Sequence, residues 1–495
     1  MGSTLRALSL LVTMLQAVVP GPPAPAGVPL TQALQAILHE PALRGTTLGI
    51  HVVRLRDGAT LLDHHADALL VPASNVKMLT AAAALDVLGP DFTFDTKLYG
   101  VLSPDGTLAS DLIVAGHGDP YLIPERLYQL ATRLRALGVG RIDGDLVVDD
   151  SYFTGPRLQA GFEQDDTHSA YMAPAGALSA SFNAMLVHVL PAARPGLAAR
   201  LVLEPTSAYA PVEGVIQTVA TGRSAMQVDI VERQGRDVVQ ISGRIRLHDR
   251  PRAYWRRINQ PALYTGEILR TLLAQLGIDI RGTVRCGAPP PQPTALLYTH
   301  HSPRLAELVG PLNKYSNNFI AGQIANTMGA MRFGAPGSWE KGHRAMVDFL
   351  QAKLGLHPQS YLLGNASGLH EVNRFSAKQM TLLVQSMYHQ PRLWPEFLGS
   401  LAVAGGVGTL QDRMVQGPAT GVLRAKTGTL GGASALSGYV TDRDNEAYAF
   451  AMIVNGYRGI EGVWRAQDRL GTALAEHQQP VAAAATTPAG AIEGG

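Results

Sequence analysis

The sequence is poor in features that mark several classes of protein. It has a single cysteine, Cys286, among 495 residues. An exported chain of this kind could not close an internal disulfide, so we expect packed cores to hold it together and Cys286 to be inert. Lysine and arginine total 41 against 39 acidic residues. Because no basic run offers a track for phosphates, we expect no nucleic-acid partner.

The apolar run at the N-terminus is too short to span a membrane. It covers residues 7–19, whereas a membrane-spanning helix needs about 20 apolar residues. It follows Arg6 and leads into a proline-rich stretch with small residues up to Ala26, the pattern of a secretory signal peptide. We expect residues 1–26 to be that signal peptide and the protein to be periplasmic or otherwise exported. The alternative, a buried or membrane-spanning helix, is disfavoured by the prolines.

Hydrophobic residues make up 46% of the chain, and their patterns place strands at both ends. Residues 48–56 and 59–65 flank Asp57-Gly58, a strong hairpin pattern. Residues 78–88 predict a helix that ends at Gly89-Pro90, and residues 421–426, 433–441 and 447–455 predict three strands before a helix at 463–477. We therefore predict a mixed α/β domain, an antiparallel sheet flanked by helices, built from residues 27–90 and 295–477.

The middle of the chain must then be an insertion. Between residues 91 and 294, many short strand-like runs are bounded by glycine and aspartate turns, which predicts large β-rich inserted domains. The proline-rich residues 289–293 close the insertion. Residues 478–495 are mostly small and lack periodicity, so we predict a disordered tail there.

A serine and a lysine three residues apart open the first predicted helix. Such residues lie on one face of a helix, so the amine of Lys77 can be the base that activates the hydroxyl of Ser74. This role needs a lowered lysine pKa, through burial and a nearby second cation, for which Lys426 is the candidate. A second S-x-x-K pair exists at Ser338 and Lys341, but it lacks the hairpin that precedes Ser74.

A serine–asparagine motif lies farther along the chain. Ser316 can relay a proton to a leaving amine, and the amide of Asn318 can hold a peptide group of a substrate. A second S-x-N pair, Ser181 and Asn183, falls in the predicted insertion.

A third motif lies on the first of the three C-terminal strands. Lys426, Thr427 and Thr429 can bind a carboxylate, and Gly428 lets the backbone of a ligand approach closely. We expect the backbone N–H groups of Thr429 and Ser74 to form an oxyanion hole.

We expect neither a catalytic metal nor an organic cofactor. His39-Glu40 and His370-Glu371 begin like the zinc motif H-E-x-x-H but lack the second histidine. Residues 405–408 lack the G-x-G-x-x-G spacing of a dinucleotide-binding loop.

In their order along the chain, the three motifs resemble those of the class C low-molecular-mass penicillin-binding proteins, D-alanyl-D-alanine carboxypeptidases and endopeptidases of the periplasm. Residues 116–120, 171–178, 367–369, 373–374, 425–430 and 434–439 also resemble that family. The resemblance covers nearly the whole mature chain. It implies a β-lactamase/transpeptidase-like catalytic domain, an inserted domain II (91–185 and 255–294) and an inserted domain III (186–254).

The resemblance also implies a reaction, a serine acyl transfer. Ser74 would attack the D-Ala-D-Ala carbonyl, Lys77 would take its proton, and Ser316 would help to protonate the departing D-alanine before water releases the acyl group. The expected partners are peptidoglycan stem peptides and β-lactam antibiotics, with a weak association with the membrane. The expected substrate-binding residues are Asn318, Lys426, Thr427, Gly428, Thr429, Leu430, Asp149 and Glu371.

One loop departs from the family's pattern. Members often read Asp-Gly-Ser-Gly-Leu-Ser-Arg where this chain has residues 365–371, so Glu371 replaces an arginine. In relatives, that arginine and an aspartate that Asp149 resembles hold meso-diaminopimelate, whose side chain ends in a carboxylate and an ammonium. A glutamate repels the carboxylate, so we expect a diamino acid that ends in an amine alone, such as ornithine or lysine. Alternatively, Arg374 replaces the missing arginine, or the loop points elsewhere.

Two other functions stay open from the sequence. A β-lactamase would need a base for fast deacylation, which no residue can be assigned from sequence. A non-catalytic cell-wall binding protein of the same fold would not need to retain both lysines and both serines.

Overall fold

A computed structural model of the protein describes residues 29–162, 168–287 and 295–478. The predicted signal peptide, the proline-rich residues 289–293 and all but the first residue of the predicted tail lie outside these ranges. Within the described residues, no helix is both long enough and apolar enough to cross a membrane.

Helices and strands occur throughout the described chain. The helices are α1 (Leu30–Ile37), α2 (Val76–Val87), α3 (Pro124–Ala136), α4 (Pro261–Gln275), α5 (Leu305–Lys314), α6 (Asn318–Phe333), α7 (Trp339–Leu354), α8 (Ala377–Tyr388), α9 (Trp394–Ser400) and α10 (Ile460–Glu476). The strands are β1 (Thr47–Arg54), β2 (Thr60–His64), β3 (Asp95–Tyr99), β4 (Thr107–Leu108), β5 (Leu112–Gly116), β6 (Arg141–Ile142), β7 (Leu146–Asp149), β8 (Ala184–Leu190), β9 (Arg200–Glu204), β10 (Val212–Val219), β11 (Ala225–Arg233), β12 (Arg236–Arg246), β13 (Arg252–Arg257), β14 (Asp279–Ile280), β15 (Val284–Cys286), β16 (Leu296–His301), β17 (Ala402–Val403), β18 (Arg424–Leu430), β19 (Ala433–Thr441) and β20 (Ala447–Asn455).

One antiparallel sheet joins the two ends of the chain. Its strand order is β17-β18-β19-β20-β1-β2, and each neighbouring pair is antiparallel. The predicted hairpin is present as β1 and β2, and Arg54 pairs with Asp57 in its turn at 2.8 Å. The C-terminal strands and helix form as β18, β19, β20 and α10. The predicted α/β domain with a helix-flanked antiparallel sheet is therefore confirmed.

Apolar side chains cover this sheet on both faces. β20 shows this most clearly, because its side chains alternate between two cores. Phe450 and Met452 belong to the core that includes α1 and α10, whereas Ala451 and Ile453 belong to the core that includes α2 and α5 to α9. The central strand is therefore packed on both sides. The helix that follows Ser74 packs against α5, α6 and α7 in the second of these cores.

The insertion forms its own set of sheets. Their strand orders are β15-β7-β5-β3-β16, β14-β6-β4, β10-β12-β11 and β13-β8-β9. A second continuous core joins these sheets to α3 and α4. The expected β-rich insertion is confirmed, and it contains two helices that the strand-like patterns did not indicate.

Three of the expected domain boundaries fall next to or inside paired strands. β16, which follows the boundary at residue 295, pairs with β3 in the sheet of the insertion. β8 and β13 pair with each other and contain the boundaries at residues 185 and 254. Strand pairing joins residues far apart in sequence, so local patterns do not show where such a unit ends. The division into domains II and III stays a prediction.

The pairing of β18 with β19 leaves no room for a side chain at Gly438. A Cβ atom there would press on the carbonyl oxygen of Arg424 and lie 2.6 Å from Cα of Ala425. Gly438→Ala should therefore lower the free energy of unfolding by about 1–3 kcal/mol, the usual cost of overpacking. Urea unfolding measures this change.

Gly431→Ala, in the turn between the same strands, is the matched control. A Cβ atom at Gly431 would meet no atom within 4 Å, so this variant should be as stable as the wild type or about 0.4–1 kcal/mol more stable. An equal loss of stability in both variants would contradict the proposed clash.

Candidate active site

Ser74 lies in a short 3-10 turn, Ala73–Asn75, that runs directly into α2. Ala73 adopts a positive φ of 47°, a backbone conformation that costs a non-glycine residue about 1–3 kcal/mol. In residues 71–80, Ser74 alone is partly exposed and its neighbours are buried. The turn thus presents one hydroxyl to solvent from a packed support.

The amine of Lys77 is hydrogen-bonded to the hydroxyl of Ser74. Its Nζ lies 3.1 Å from Ser74 Oγ and 2.6 Å from the carbonyl oxygen of Ser367. The lysine side chain is 0% exposed. Burial, and secondarily the charge of Lys426, lowers the pKa of Lys77 well below its usual 10.5. A neutral amine has a free lone pair, so it can accept the proton of the serine.

Strand β18 brings a second buried lysine to the site. Lys426 is 0% exposed, its Nζ donates to the carbonyl oxygen of Thr427 at 2.7 Å, and burial lowers its pKa to about 7. A Cβ atom at Gly428 would lie 2.7 Å from the carbonyl oxygen of Pro72 and 3.2 Å from the backbone nitrogen of Ser74. Glycine therefore allows β18 to lie directly against the serine turn.

The remaining positions of this motif lie toward the end of β18. The hydroxyl of Thr427 donates to that of Thr409 at 2.7 Å. Thr429 is exposed, and the carbonyl oxygen of Leu430 accepts the Tyr457 hydroxyl at 2.8 Å. Thr409 was not predicted from the sequence, because it lies in a separate 3-10 turn, Gly408–Leu410, that carries no recognised motif.

Ser316 lies in the connection between α5 and α6, and Asn318 is the first residue of α6. Both helices pack against α2. Ser316 has a positive φ of 58°. Asn317 caps α6 by accepting the N–H of Ile320 at 3.0 Å, and the amide nitrogen of Asn318 donates to the carbonyl oxygen of Tyr171 at 3.0 Å. The second motif is thus tied both to the helix of Lys77 and to the insertion.

A loop after α7 contributes a group to which the sequence analysis assigned no role. The carbonyl oxygen of Ser367 accepts from Lys77, and that of Ala366 accepts from the hydroxyl of Thr80 at 2.7 Å. Gly368 has a φ of 74°, and a Cβ atom there would lie 2.6 Å from the carbonyl carbon of Ala73. The only sequence indication was the similarity of residues 367–369 to the family.

Glu371 and Asp149, the two residues expected to face the diamino acid of the substrate, have separate surroundings in the described part of the chain. The Glu371 side chain is 61% exposed and lies 3.9 Å from the guanidinium of Arg374. Asp149 ends β7, is buried, and its carboxylate accepts the N–H of Ser151 at 2.9 Å. The carboxylate of Asp149 is therefore engaged inside the insertion, whereas Glu371 faces solvent.

The second copies of two motifs support local structure. Ser338 caps α7 by accepting the N–H of Lys341, and the amine of Lys341 donates to the carbonyl oxygens of Gly334 and Pro336. The amide of Asn183 donates to the carbonyl oxygen of Pro174 at 2.8 Å. Neither copy presents a serine hydroxyl to a lysine amine.

Comparison with known proteins identifies the family. Residues 30–476 match the model of the D-Ala-D-Ala carboxypeptidase 3 (S13) family. The chain belongs to this family. It is 34% identical to a D-alanyl-D-alanine carboxypeptidase of Actinomadura sp. (strain R39), over 91% of this chain and 86% of that protein. It is 28% identical to the D-alanyl-D-alanine carboxypeptidase DacB of Haemophilus influenzae, over 83% of this chain and 86% of that protein.

Solved structures share the fold of this S13 chain. Penicillin-binding protein 4 of Haemophilus influenzae superposes with a TM-score of 0.78 at 25% identity, over 90% of this chain and 99% of that one. A complex of that protein with a β-lactam gives a TM-score of 0.73 at 24% identity, over the same shares. These matches confirm the predicted family, the class C low-molecular-mass penicillin-binding proteins, and the predicted activity, that of a serine-type D-Ala-D-Ala carboxypeptidase. They support this activity over the two alternatives, a β-lactamase and a non-catalytic binding protein.

The burial of Lys426 predicts a pH-dependent stability. Its pKa is about 7 in the folded protein, against the ordinary lysine value of 10.5 in the unfolded chain. Between pH 7 and pH 10.5, the unfolded chain therefore binds more protons than the folded protein. The contribution of Lys426 to the free energy of unfolding therefore rises from pH 7 to 10.5. Lys426→Met should stabilise the protein most at or below pH 7 and progressively less toward pH 10, as measured by urea unfolding.

Lys378→Met is the control, because the Lys378 side chain is 51% exposed. Its effect on stability should not change between pH 7 and 10. A pH-independent effect of Lys426→Met would contradict the lowered pKa of that lysine.

Proposed function

We propose that Ser74 is the nucleophile that cleaves the terminal D-Ala-D-Ala bond of peptidoglycan stem peptides through an acyl-enzyme. The observation that supports this proposal is the 3.1 Å contact between Ser74 Oγ and the buried amine of Lys77. Because burial and Lys426 lower the pKa of Lys77, the amine accepts the serine proton as Oγ attacks the carbonyl carbon of the penultimate D-alanine.

The backbone N–H groups of Ser74 and Thr429 stabilise the oxyanion that forms in this step. The close approach of β18 at Gly428 supports this assignment. As the tetrahedral intermediate collapses, the bond to the terminal D-alanine breaks and Ser316 passes a proton to the departing amine. Water then attacks the ester, which releases the shortened peptide and restores the hydroxyl of Ser74.

The terminal carboxylate of the substrate pairs with the third motif. Lys426 in its protonated form supplies a positive charge, and the hydroxyls of Thr427 and Thr429 supply hydrogen bonds. The carboxylate favours the charged lysine and so raises its pKa above the value of about 7 in the free protein. The amide of Asn318 holds a peptide group of the stem.

We propose further that the protein acts outside the cytoplasm, in the periplasm. The supporting observations are the signal-peptide pattern of residues 1–26 and the location of peptidoglycan, the substrate, in that compartment. β-Lactams acylate Ser74 in the same way as the substrate and leave a slowly hydrolysed ester. The β-lactam complex of the related Haemophilus protein supports this part of the proposal.

Labelling with a fluorescent penicillin tests the nucleophile. Ser74→Ala should abolish labelling and lower kcat for D-alanine release by at least about 10³-fold, because nothing else supplies the attacking oxygen. Mass spectrometry of the penicillin-treated wild type should locate the adduct on the peptide that contains Ser74. Ser338→Ala, which removes the serine of the second S-x-x-K pair, should label like the wild type. Labelling of Ser74→Ala would refute the assignment.

We also infer that the site prefers a stem peptide whose diamino acid ends in an amine alone, such as ornithine or lysine. The support is the exposed carboxylate of Glu371, which attracts an ammonium and repels a carboxylate. The guanidinium of Arg374 donates to the carbonyl oxygens of Glu371 and Asn373 at 2.6 and 2.9 Å, which favours this preference over the alternative that Arg374 replaces the missing arginine. The buried carboxylate of Asp149 accepts the N–H of Ser151, and its role in substrate binding stays a prediction.

Kinetics with matched peptides test this preference. The wild type should show a kcat/KM for the ornithine or lysine peptide about 5-fold higher than for the diaminopimelate peptide, since one charge contact at a partly solvated site is worth on the order of 1 kcal/mol. Glu371→Arg should reverse the order. Lys341→Arg, a surface change that keeps its charge, is the control. A higher kcat/KM of the wild type for the diaminopimelate peptide would refute the proposed preference for an amine.

A further inference from the structure

The carbonyl oxygen that receives the amine of Lys77 is oriented by the side chain of Asn365. The amide oxygen of Asn365 accepts the backbone N–H groups of Ser367 at 3.2 Å and Gly368 at 2.8 Å, and the side-chain amide of Asn373 at 3.1 Å. It also accepts the hydroxyl of Ser367 at 3.3 Å. These bonds fold residues 365–368 into a tight turn and so fix the direction of the Ser367 carbonyl.

The nitrogen of the same amide connects this turn to the insertion. It donates to the carbonyl oxygens of Leu369 at 2.7 Å and Ala160 at 3.0 Å. Next to Ala160, the side-chain oxygen of Gln159 accepts the N–H of Ala366 at 3.0 Å. On the opposite side, Lys77 and Thr80 of α2 donate to the same loop. The loop is thus held between the insertion and the helix of the base.

These bonds use both the donor and the acceptor of the Asn365 amide. Asn365 is 0% exposed, so each of its polar atoms depends on a protein partner. An amide donates and accepts, whereas a carboxylate only accepts. An aspartate would turn one oxygen toward the carbonyls of Leu369 and Ala160, and it would add a negative charge next to the Ser367 carbonyl that binds Lys77. In the described part of the chain, the charge that acts on Lys77 is that of Lys426.

We propose that Asn365 is a positioning residue for the reaction, whose uncharged amide holds the Ser367 carbonyl against the Lys77 amine and links that contact to the insertion through Ala160. Asn365 acts through Ser367 and touches no reacting atom. The 2.6 Å contact with Ser367 directs the lone pair of Nζ toward Ser74 Oγ. The insertion therefore supports the base as well as the substrate. This inference rests on the proposed roles of Ser74 and Lys77.

The pH dependence of acylation distinguishes a positioning role from a purely structural one. The probe is a chromogenic cephalosporin, and the protein is the full mature chain. Asn365→Asp restores the aspartate that is common in the family, so it should remain active. A nearby negative charge raises the pKa of a lysine. In the Asn365→Asp variant, the acid limb of the pH–rate profile, where acylation slows as Lys77 is protonated, should therefore move up by about one pH unit or more. At a pH on that limb, the variant should be acylated about 10-fold more slowly than the wild type.

Two further variants complete the experiment. Serine at position 365 is uncharged but too short to make the same hydrogen bonds. The Asn365→Ser variant should therefore be acylated more slowly at every pH, with the acid limb of its pH–rate profile unchanged. If Asn365→Asp does not fold, this variant tests the role of Asn365. Asn183→Asp is the matched control, because Asn183 is also a buried amide that holds a loop, through Pro174 and Ser179 at 2.8 and 2.9 Å. It should change stability and leave the acid limb where it is.

The outcomes separate this inference from the proposed function. If the wild type is not acylated on Ser74, the proposed function fails. If the wild type is acylated there but the Asn365→Asp limb is unmoved, or Asn365→Ser keeps the wild-type rate, only the role of Asn365 is overturned.

Discussion

Two lysine side chains, Lys77 and Lys426, are withdrawn from water between α2 and β18, and their charges repel each other. Burying an ammonium without a counter-ion is unfavourable, so the fold must hold both groups in place by other interactions. The antiparallel sheet, covered by helices on both faces, provides that rigidity. In return, burial and the charge of Lys426 lower the pKa of Lys77 well below that of a solvated lysine, as the proposed role of a base next to Ser74 requires.

The site is assembled from segments that are far apart in the chain, and glycines let them meet. Gly428 and Gly368 both lie against the backbone of the serine turn, one from β18 and one from the loop after α7. The insertion reaches the site twice, through the Tyr171 carbonyl at Asn318 and through Ala160 at Asn365. The insertion is therefore part of the support of the candidate site and is not only an addition beside it.

Local patterns predicted the elements well and their partners less well. The hairpin at Asp57-Gly58, the helix after Ser74 and the strands up to Asn455 form as expected, because turn residues and apolar periodicity act over a few residues. The pairing of β16 with β3 joins residues about 200 positions apart, and no local pattern records it. Asp149 was predicted to bind the substrate because it resembles an aspartate of the family. The direction in which its carboxylate points depends on tertiary packing, which the sequence does not show.

The sequence by itself determined the family and so the kind of chemistry, because a serine, a lysine three residues later on a predicted helix, and two further motifs in a set order are readable from residue types and spacing. Only the tertiary structure decided how Lys77 is tuned. Its partner, the Ser367 carbonyl, lies 290 residues away, in a turn where Asn365 accepts the N–H of Gly368 and donates to Ala160 of the insertion. A pKa depends on burial and on distances through space, and neither quantity is written in the order of residues.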